Sequence, residues 1–301
     1  MRNWTDIYFT SRDGLRLYAR HYPVTGSLRR PAVCLPGLTR NCRDFHDLAS
    51  VLASQDDSGR DVYAVDYRGR GRSQHDPDWK NYSILVELND VLDFMTVKGL
   101  HRAAIIGTSR GGLIAMLMAV LRPGALGAVV MNDIGPVIER DGLARIVAYV
   151  GRVPLPANWK EATELVKEMN RRQFTAVTPE QWVEFAHQVF NDDNGLPAPA
   201  YDPKLSHALS LHAAAPDLWP QFAALSHVPV LVLRGENSDI LSAQTLNEMR
   251  SRHPRLEGVT VRGQGHAPLL KDVATIGAVR DFLMRADAEA FVGSAPDRVL
   301  V

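Results

Sequence analysis

Serine is the first residue type in this chain placed to do chemistry. In the run Ile105, Ile106, Gly107, Thr108, Ser109, Arg110, Gly111, Gly112, Leu113, Ile114, an apolar strand passes almost without a loop into an apolar helix. The G-x-S-x-G turn between them lifts the Ser109 hydroxyl above the strand end, and packing at so sharp a turn admits only small residues at Gly107 and Gly111. A serine hydroxyl is a weak nucleophile at its free pKa, so it needs a base in reach and an acid to orient the base, expected in the order serine, acid, histidine. His266, in Gly263, Gln264, Gly265, His266, Ala267, Pro268, follows the last expected strand and is read as the base. Asp239 and Asp133 both follow strands and fall at the same sheet edge. The short, polar, glycine-hinged loop of Asp239 makes it the expected acid, with Asp133 the alternative, otherwise free to tie down a hinge with Asn132. Glu236 reads as a solvated loop carboxylate. Acyl transfer also needs donors for an oxyanion, and the backbone N–H groups of Arg110 and Leu38 are expected to supply them.

These side chains require a frame. Asp13–Gly14 separates two alternating segments, a strong signal for an opening hairpin. Short continuous apolar runs follow at Ala32–Leu35, Val62–Val65, Ala103–Ile106, Ala128–Met131, Val230–Leu233 and Val259–Val261, several of them separated by stretches of helical period. The fold class is therefore α/β: a mostly parallel sheet, antiparallel at its N-terminal hairpin, with helices on both faces. Between Met131 and Val230 roughly a hundred residues hold no convincing strand. N-cap pairs at Asn158/Glu161 and Thr178/Gln181 mark helices there, so residues 137–225 are expected to form a helical lid inserted into a core of residues 1–136 and 226–301. The tail from Ala286 to Val301 is expected to pack loosely.

Composition narrows the class of function. Thirty-four basic residues balance 34 acidic ones in 301, so no global charge draws the chain to nucleic acid or to an anionic membrane. The longest apolar run, Leu113–Leu121, is half a membrane span. Cys34 and Cys42 are expected as free thiols, and Met1–Thr10 has no signal-peptide pattern, which together give a cytoplasmic expectation. Histidines such as His187, His207 and His212 lack metal-ligand spacing and are read as structural or exposed.

Taken together, the Pro36–Gly37 loop, Asp66-Tyr67-Arg68-Gly69-Arg70-Gly71-Arg72-Ser73, the serine turn, the Asn132–Pro136 exit and the Asp239 and His266 loops resemble the α/β-hydrolase superfamily, in particular its lid-bearing ester, lactone and C–C bond hydrolases. The resemblance covers almost the whole chain. It implies hydrolysis through a covalent acyl-enzyme, with no cofactor, on a small-molecule substrate, by a monomer or homodimer. Serine at 109 disfavours the dehalogenase and epoxide-hydrolase branches, which carry aspartate there, and Ala267 stands where C–C hydrolases of ring-fission products usually have tryptophan. The expected activity is cleavage of a carboxylic ester or lactone of a small, largely apolar acid. C–C hydrolysis of a diketone, and a ligand-binding receptor on the same fold, are the alternatives. The Arg110 side chain is expected to pair with an acid such as Asp133 or Glu236 rather than to face substrate, and Arg68, Arg70 and Arg72 to form a solvated turn bonded by Asp66.

Overall fold

A computed structural model describes residues 3–56, 58–210 and 217–293. The alternating segments around Asp13–Gly14 pair as antiparallel strands β1 (Thr5–Thr10) and β2 (Arg16–Tyr22). The apolar runs become β3 (Ala32–Leu35), β4 (Val62–Asp66), β5 (Ala103–Thr108) and β6 (Leu126–Asn132). β7 (Phe190–Asp193) and β8 (Leu196–Pro199) form a separate pair, and β9 (Val230–Gly235) and β10 (Leu256–Val261) complete the main sheet. Its order is β1-β2-β4-β3-β5-β6-β9-β10; β2 runs antiparallel to β4, and every pairing beyond it is parallel.

Strand period divides the core into two layers. Val33, Leu35 and Ile105 face one side of the sheet, where they meet Leu88, Val91 and Phe94 of α2 (after α1, His46–Leu52; α2 spans Ile84–Val97) and Ile114 and Met118 of α3 (Arg110–Leu121). Ala32, Cys34 and Ile106 face the other side, against Leu48 and Leu52 of α1. With both faces covered, strands need apolar residues at every position, which is why these runs are continuous rather than alternating.

The chain leaves the sheet after β6 and rejoins it at β9. In between lie α4 (Arg140–Tyr149), α5 (Trp159–Asn170), α6 (Pro179–Val189), α7 (Leu205–Ser210) and α8 (Trp219–Ala223). The Asn158 side chain accepts the Glu161 N–H, and Thr178 with Gln181 forms a full capping box. Their helices share a small apolar core of Val166, Phe174, Trp182, Phe185 and Phe190. Two features depart from an all-helical insertion. β7 and β8 form a hairpin whose turn, Asn194–Gly195, holds both residues at positive φ, 53° and 85°. Asn and Gly tolerate that backbone better than other residues, so the dipeptide was the missed signal. Secondly, Phe222 and Leu225 near α8 pack into the sheet's own core layer.

After β9 come α9 (Ala243–Arg252) and α10 (Val273–Gly293). Val279, Phe282 and Leu283 of α10 join the layer against α1. This last helix runs past Ala286, so the expected loose tail is helical as far as Gly293 and lies beyond that outside the described residues. Cys34 and Cys42 are buried and free, and burial pushes both thiols far up. Among the described residues no helix is long and apolar enough to cross a membrane.

Candidate active site

Strand β5 ends at Thr108 and α3 begins at Arg110, so Ser109 alone makes the turn, with φ 50° and ψ −109°. A non-glycine residue in that region is strained and persists only where its surroundings hold it. Ser109 N–H donates to Asn132 O at 3.0 Å, and its carbonyl accepts Gly112 N–H at 2.9 Å. Space is minimal. A Cβ on Gly107 would sit 2.4 Å from the Gly111 carbonyl carbon, and one on Gly111 would sit 2.1 Å from Leu35 O.

Tertiary structure brings His266 to Ser109 from 157 residues away, with Nε2 2.9 Å from Oγ. Its Nδ1 lies 2.8 Å from Asp133 Oδ2. A carboxylate only accepts, so Nδ1–H donates to Asp133 and the neutral ring keeps Nε2 as the acceptor for the serine O–H. Asp133 is wholly buried and at positive φ, 57°. Three further groups fix it: its N–H donates to Leu233 O at 2.7 Å, Oδ1 accepts Gly235 N–H at 2.7 Å, and Oδ2 accepts the Ser238 hydroxyl at 2.6 Å.

This corrects the expectation for Asp239. Its carboxylate turns to the guanidinium of Arg145 on α4, with bonds of 2.6 and 2.9 Å. Burial raises the Asp239 carboxyl, but the Arg145 bonds and charge outweigh that and hold it below the usual range. Asp133 wins the place at the imidazole because β6 lies directly beside β5, whereas Asp239 stands four residues past the end of β9, one strand further out. The β9 loop supports Asp133 instead of replacing it, through the Gly235 N–H and the Ser238 hydroxyl. Asn132 does not secure a hinge: its amide joins Thr108 Oγ1 at 3.1 Å and Pro268 O at 2.9 Å, tying the serine turn to the histidine loop. Glu236 is exposed and accepts the Gly263 N–H at 2.8 Å.

Arg110 N–H belongs to the first residue of α3, where helix geometry leaves donors unused. Leu38 follows Gly37, and a Cβ on Gly37 would lie 3.9 Å from Ser109 Cβ, so this loop closes over the nucleophile. Behind both peptides is a network the sequence reading missed. Arg70 Nε donates to Leu38 O at 2.9 Å, and its Nη1 meets Glu87 Oε1 at 2.8 Å. Glu87 also takes Arg110 Nε, and Arg110 Nη2 reaches Tyr82 O at 3.2 Å. The Arg110 side chain is thus paired, with Glu87 as its carboxylate instead of Asp133 or Glu236. The solvated-turn reading of Arg68 and Arg70 is overturned as well: both are fully buried, and Arg68 holds Asp13, Asp76 and Asp90 at 2.6–2.7 Å. Only Arg72 is exposed in the expected way, and Asp66 accepts its N–H at 2.9 Å. Glycines conceal these contacts in sequence, because charged residues interleaved with glycine read as a surface turn.

Over Ser109 and His266 opens a cavity of about 490 Å³. Its floor is the Gly37–Arg40 loop, Ser109 and His266–Leu270, and its walls come from the inserted segment, including Ile146, Leu165, Met169 and Val189. That segment is fastened to the core by Asn41 on Gln188 O at 2.9 Å, Arg43 on Asn191 at 2.8 Å and Asn237 on Gln173 O at 2.9 Å. His187 stacks on Trp159 and His207 sits edge-on to Trp79, so both are packing residues; His212 lies outside the described residues.

A strand–serine–helix turn, a histidine loop and a buried acid on a mostly parallel sheet define an α/β hydrolase. The model of the alpha/beta hydrolase family matches residues 32–278, and the chain belongs to that family. It is 32% identical over 285 residues to a 3-hydroxybutyrate-oligomer hydrolase of Cupriavidus necator, covering 91% of this chain and 94% of that one. It is 28% identical to the sn-1-specific diacylglycerol lipase ABHD11 of Mus musculus, over 81% of this chain and 77% of the lipase. Among solved structures, an alpha/beta hydrolase from Novosphingobium aromaticivorans superposes with a TM-score of 0.88 at 40% identity, covering 95% of this chain and 99% of its own.

Proposed function

We propose that this protein is a serine hydrolase cleaving the carboxylic esters of short hydroxyacid oligomers through an acyl-enzyme. The observation that carries the reading is the continuous relay of Ser109, His266 and Asp133, at 2.9 and 2.8 Å, beneath a cavity of small-molecule size. Ser109 Oγ attacks the ester carbonyl while His266 Nε2 takes its proton, and Asp133 stabilises the imidazolium. The N–H groups of Leu38 and Arg110 receive the oxyanion. Collapse of the tetrahedral intermediate breaks the ester C–O bond, and His266 returns the proton to the departing alcohol. Water then attacks the acyl-enzyme by the same steps and frees the acid.

The inserted segment acts as a lid whose apolar side chains shape the pocket and exclude water. Support for the substrate class comes from the near full-length likeness to a hydrolase of 3-hydroxybutyrate oligomers. Lactones share the same bond and belong in the same assay. A fluorophosphonate probe is expected to label the wild type and not Ser109→Ala. In a panel of linear 3-hydroxybutyrate oligomers, lactones, p-nitrophenyl esters and diacylglycerols, kcat/KM is expected to be highest for the oligomers. Preference for diacylglycerols or lactones would reassign the substrate, and equal labelling of Ser109→Ala would remove the nucleophile.

A further inference from the structure

One wall of the cavity gathers hydrogen-bond donors from two arginines and two tyrosines. Arg145 and Tyr149 stand four residues apart on α4 and share a face. Arg40 reaches the same space from the loop after β3, two residues beyond Leu38. Each arginine gives Nε and Nη2 to one carboxylate: Arg145 to Asp239 at 2.6 and 2.9 Å, Arg40 to Asp44 at 2.8 and 2.6 Å. Used this way, each guanidinium gives its Nη1 edge to neither carboxylate; Arg145 also bonds the Tyr149 hydroxyl, and the Arg40 guanidinium lies 4.8 Å from the centroid of the Phe185 ring. Tyr201, also on the cavity, accepts Gly151 N–H at 3.0 Å and keeps its own proton to donate. Burial raises the Tyr149 phenol, with Arg145 and Arg40 acting in the opposite direction, so it stays an O–H donor at neutral pH and lies within the field of both cations.

Asp44, on the cavity, and Asp239 are already engaged by guanidinium groups. An aliphatic substrate lying against this wall would strip water from N–H and O–H groups without replacing their acceptors, and a neutral carbonyl would offer them one uncharged oxygen. A carboxylate has two oxygens, accepts only, and takes about four such bonds. Position adds a length. A Cβ on Gly37 would lie 3.3 Å from Arg40 Cγ and 3.9 Å from Ser109 Cβ, so the Arg40 stem runs beside the nucleophile and its head is one side chain away.

We propose that Arg40, Arg145 and Tyr149 form a carboxylate subsite, which holds the free acid end of a short acyloxy acid while its ester lies over Ser109. The proposal rests on the ester-hydrolase reading above and adds to it the residues that recognise the acid. Because Asp44 and Asp239 offset the two positive charges, directed hydrogen bonds supply the recognition, and an acid product is held weakly enough to leave.

The test compares the linear dimer of 3-hydroxybutyrate as free acid and as its methyl ester, with p-nitrophenyl butyrate as a neutral reference. Wild type is expected to favour the free acid by about tenfold or more in kcat/KM, expressed in KM. Arg145→Met and Arg40→Met should each cut that ratio by about tenfold, and Tyr149→Phe by a few-fold. Should an arginine variant fail to fold, Tyr149→Phe removes a single hydroxyl and still reads the ratio. Equal turnover of the two dimers by wild type, or a ratio unmoved in every folded variant, overturns the subsite. Failure of the ester-hydrolase reading shows itself separately, as no turnover of p-nitrophenyl butyrate. In that case Ser109→Ala is titrated calorimetrically with both dimers: acid-selective binding that disappears with Arg145→Met supports the subsite, and absence of acid selectivity overturns it.

Discussion

Arginine–carboxylate pairs flank Ser109 on two sides, in opposite environments. Below the serine turn, Glu87 lies between Arg70 and Arg110, with Arg70 and Glu87 wholly removed from solvent. Above it, Arg145 of the cavity wall pairs with Asp239, their side chains 34% and 27% exposed. Breaking a buried pair leaves a charge without water or partner and costs about 3–5 kcal/mol, whereas an exposed pair contributes about 0.2–1 kcal/mol. The lower network is therefore suited to fixing the peptides of Leu38 and Arg110, and the upper pair, in the proposed subsite, to holding Arg145 toward a ligand. The same residue types serve rigidity in one place and, in the proposed subsite, recognition in the other, and solvent access makes the difference.

The relay gives this comparison its hardest test. Asp133→Asn is expected to lower kcat on p-nitrophenyl butyrate by about 10⁴, because an amide cannot hold the required tautomer, while Asp239→Asn changes it by less than about tenfold. The reverse order would return the acid to the β9 loop. Next in size, Glu87→Gln should lower the free energy of unfolding by about 3–5 kcal/mol in urea titrations, since it leaves two arginines facing a neutral group. A loss below about 1 kcal/mol would mean that the lower network behaves like a surface pair. Arg70→Met removes the donor to Leu38 O, and is expected to reduce kcat more than it raises KM.

The smallest effect belongs to the upper side. Asp239 has a lowered carboxyl pKa in the folded protein, so its pairing stabilises the fold above the ordinary aspartate value near ~3.9 and loses that contribution as pH falls through the lower, folded value. Thermal unfolding of wild type and Asp239→Asn should accordingly differ by a few degrees or less at neutral pH and converge in strong acid. Divergence on acidification would contradict the pairing.

Much of the frame was legible because its signals are local. Continuous apolar runs announced strands covered on both faces, and the Asn158 and Thr178 caps announced helices, since a cap and its partner lie three residues apart. The β7–β8 hairpin was equally local in the Asn194–Gly195 turn but was hidden by the helices on either side of it. Arg68 and Arg70 were misread for a different reason: their partners Asp90 and Glu87 lie on α2, and no spacing within the glycine-rich turn reports them.

Ser109 and the glycines around it are a requirement of backbone geometry, and so the sequence alone determined where a strained turn must fall. The place of His266 was legible in much the same way, from a glycine-hinged loop after the last strand. The acid was not. Asp133 and Asp239 both follow strands at one edge, and choosing between them depends on which strand lies next to β5 and which carboxylate a distant arginine claims. Those are distances between elements far apart in the chain, and only the packed sheet, with Arg145 brought down from α4 onto Asp239, decided them.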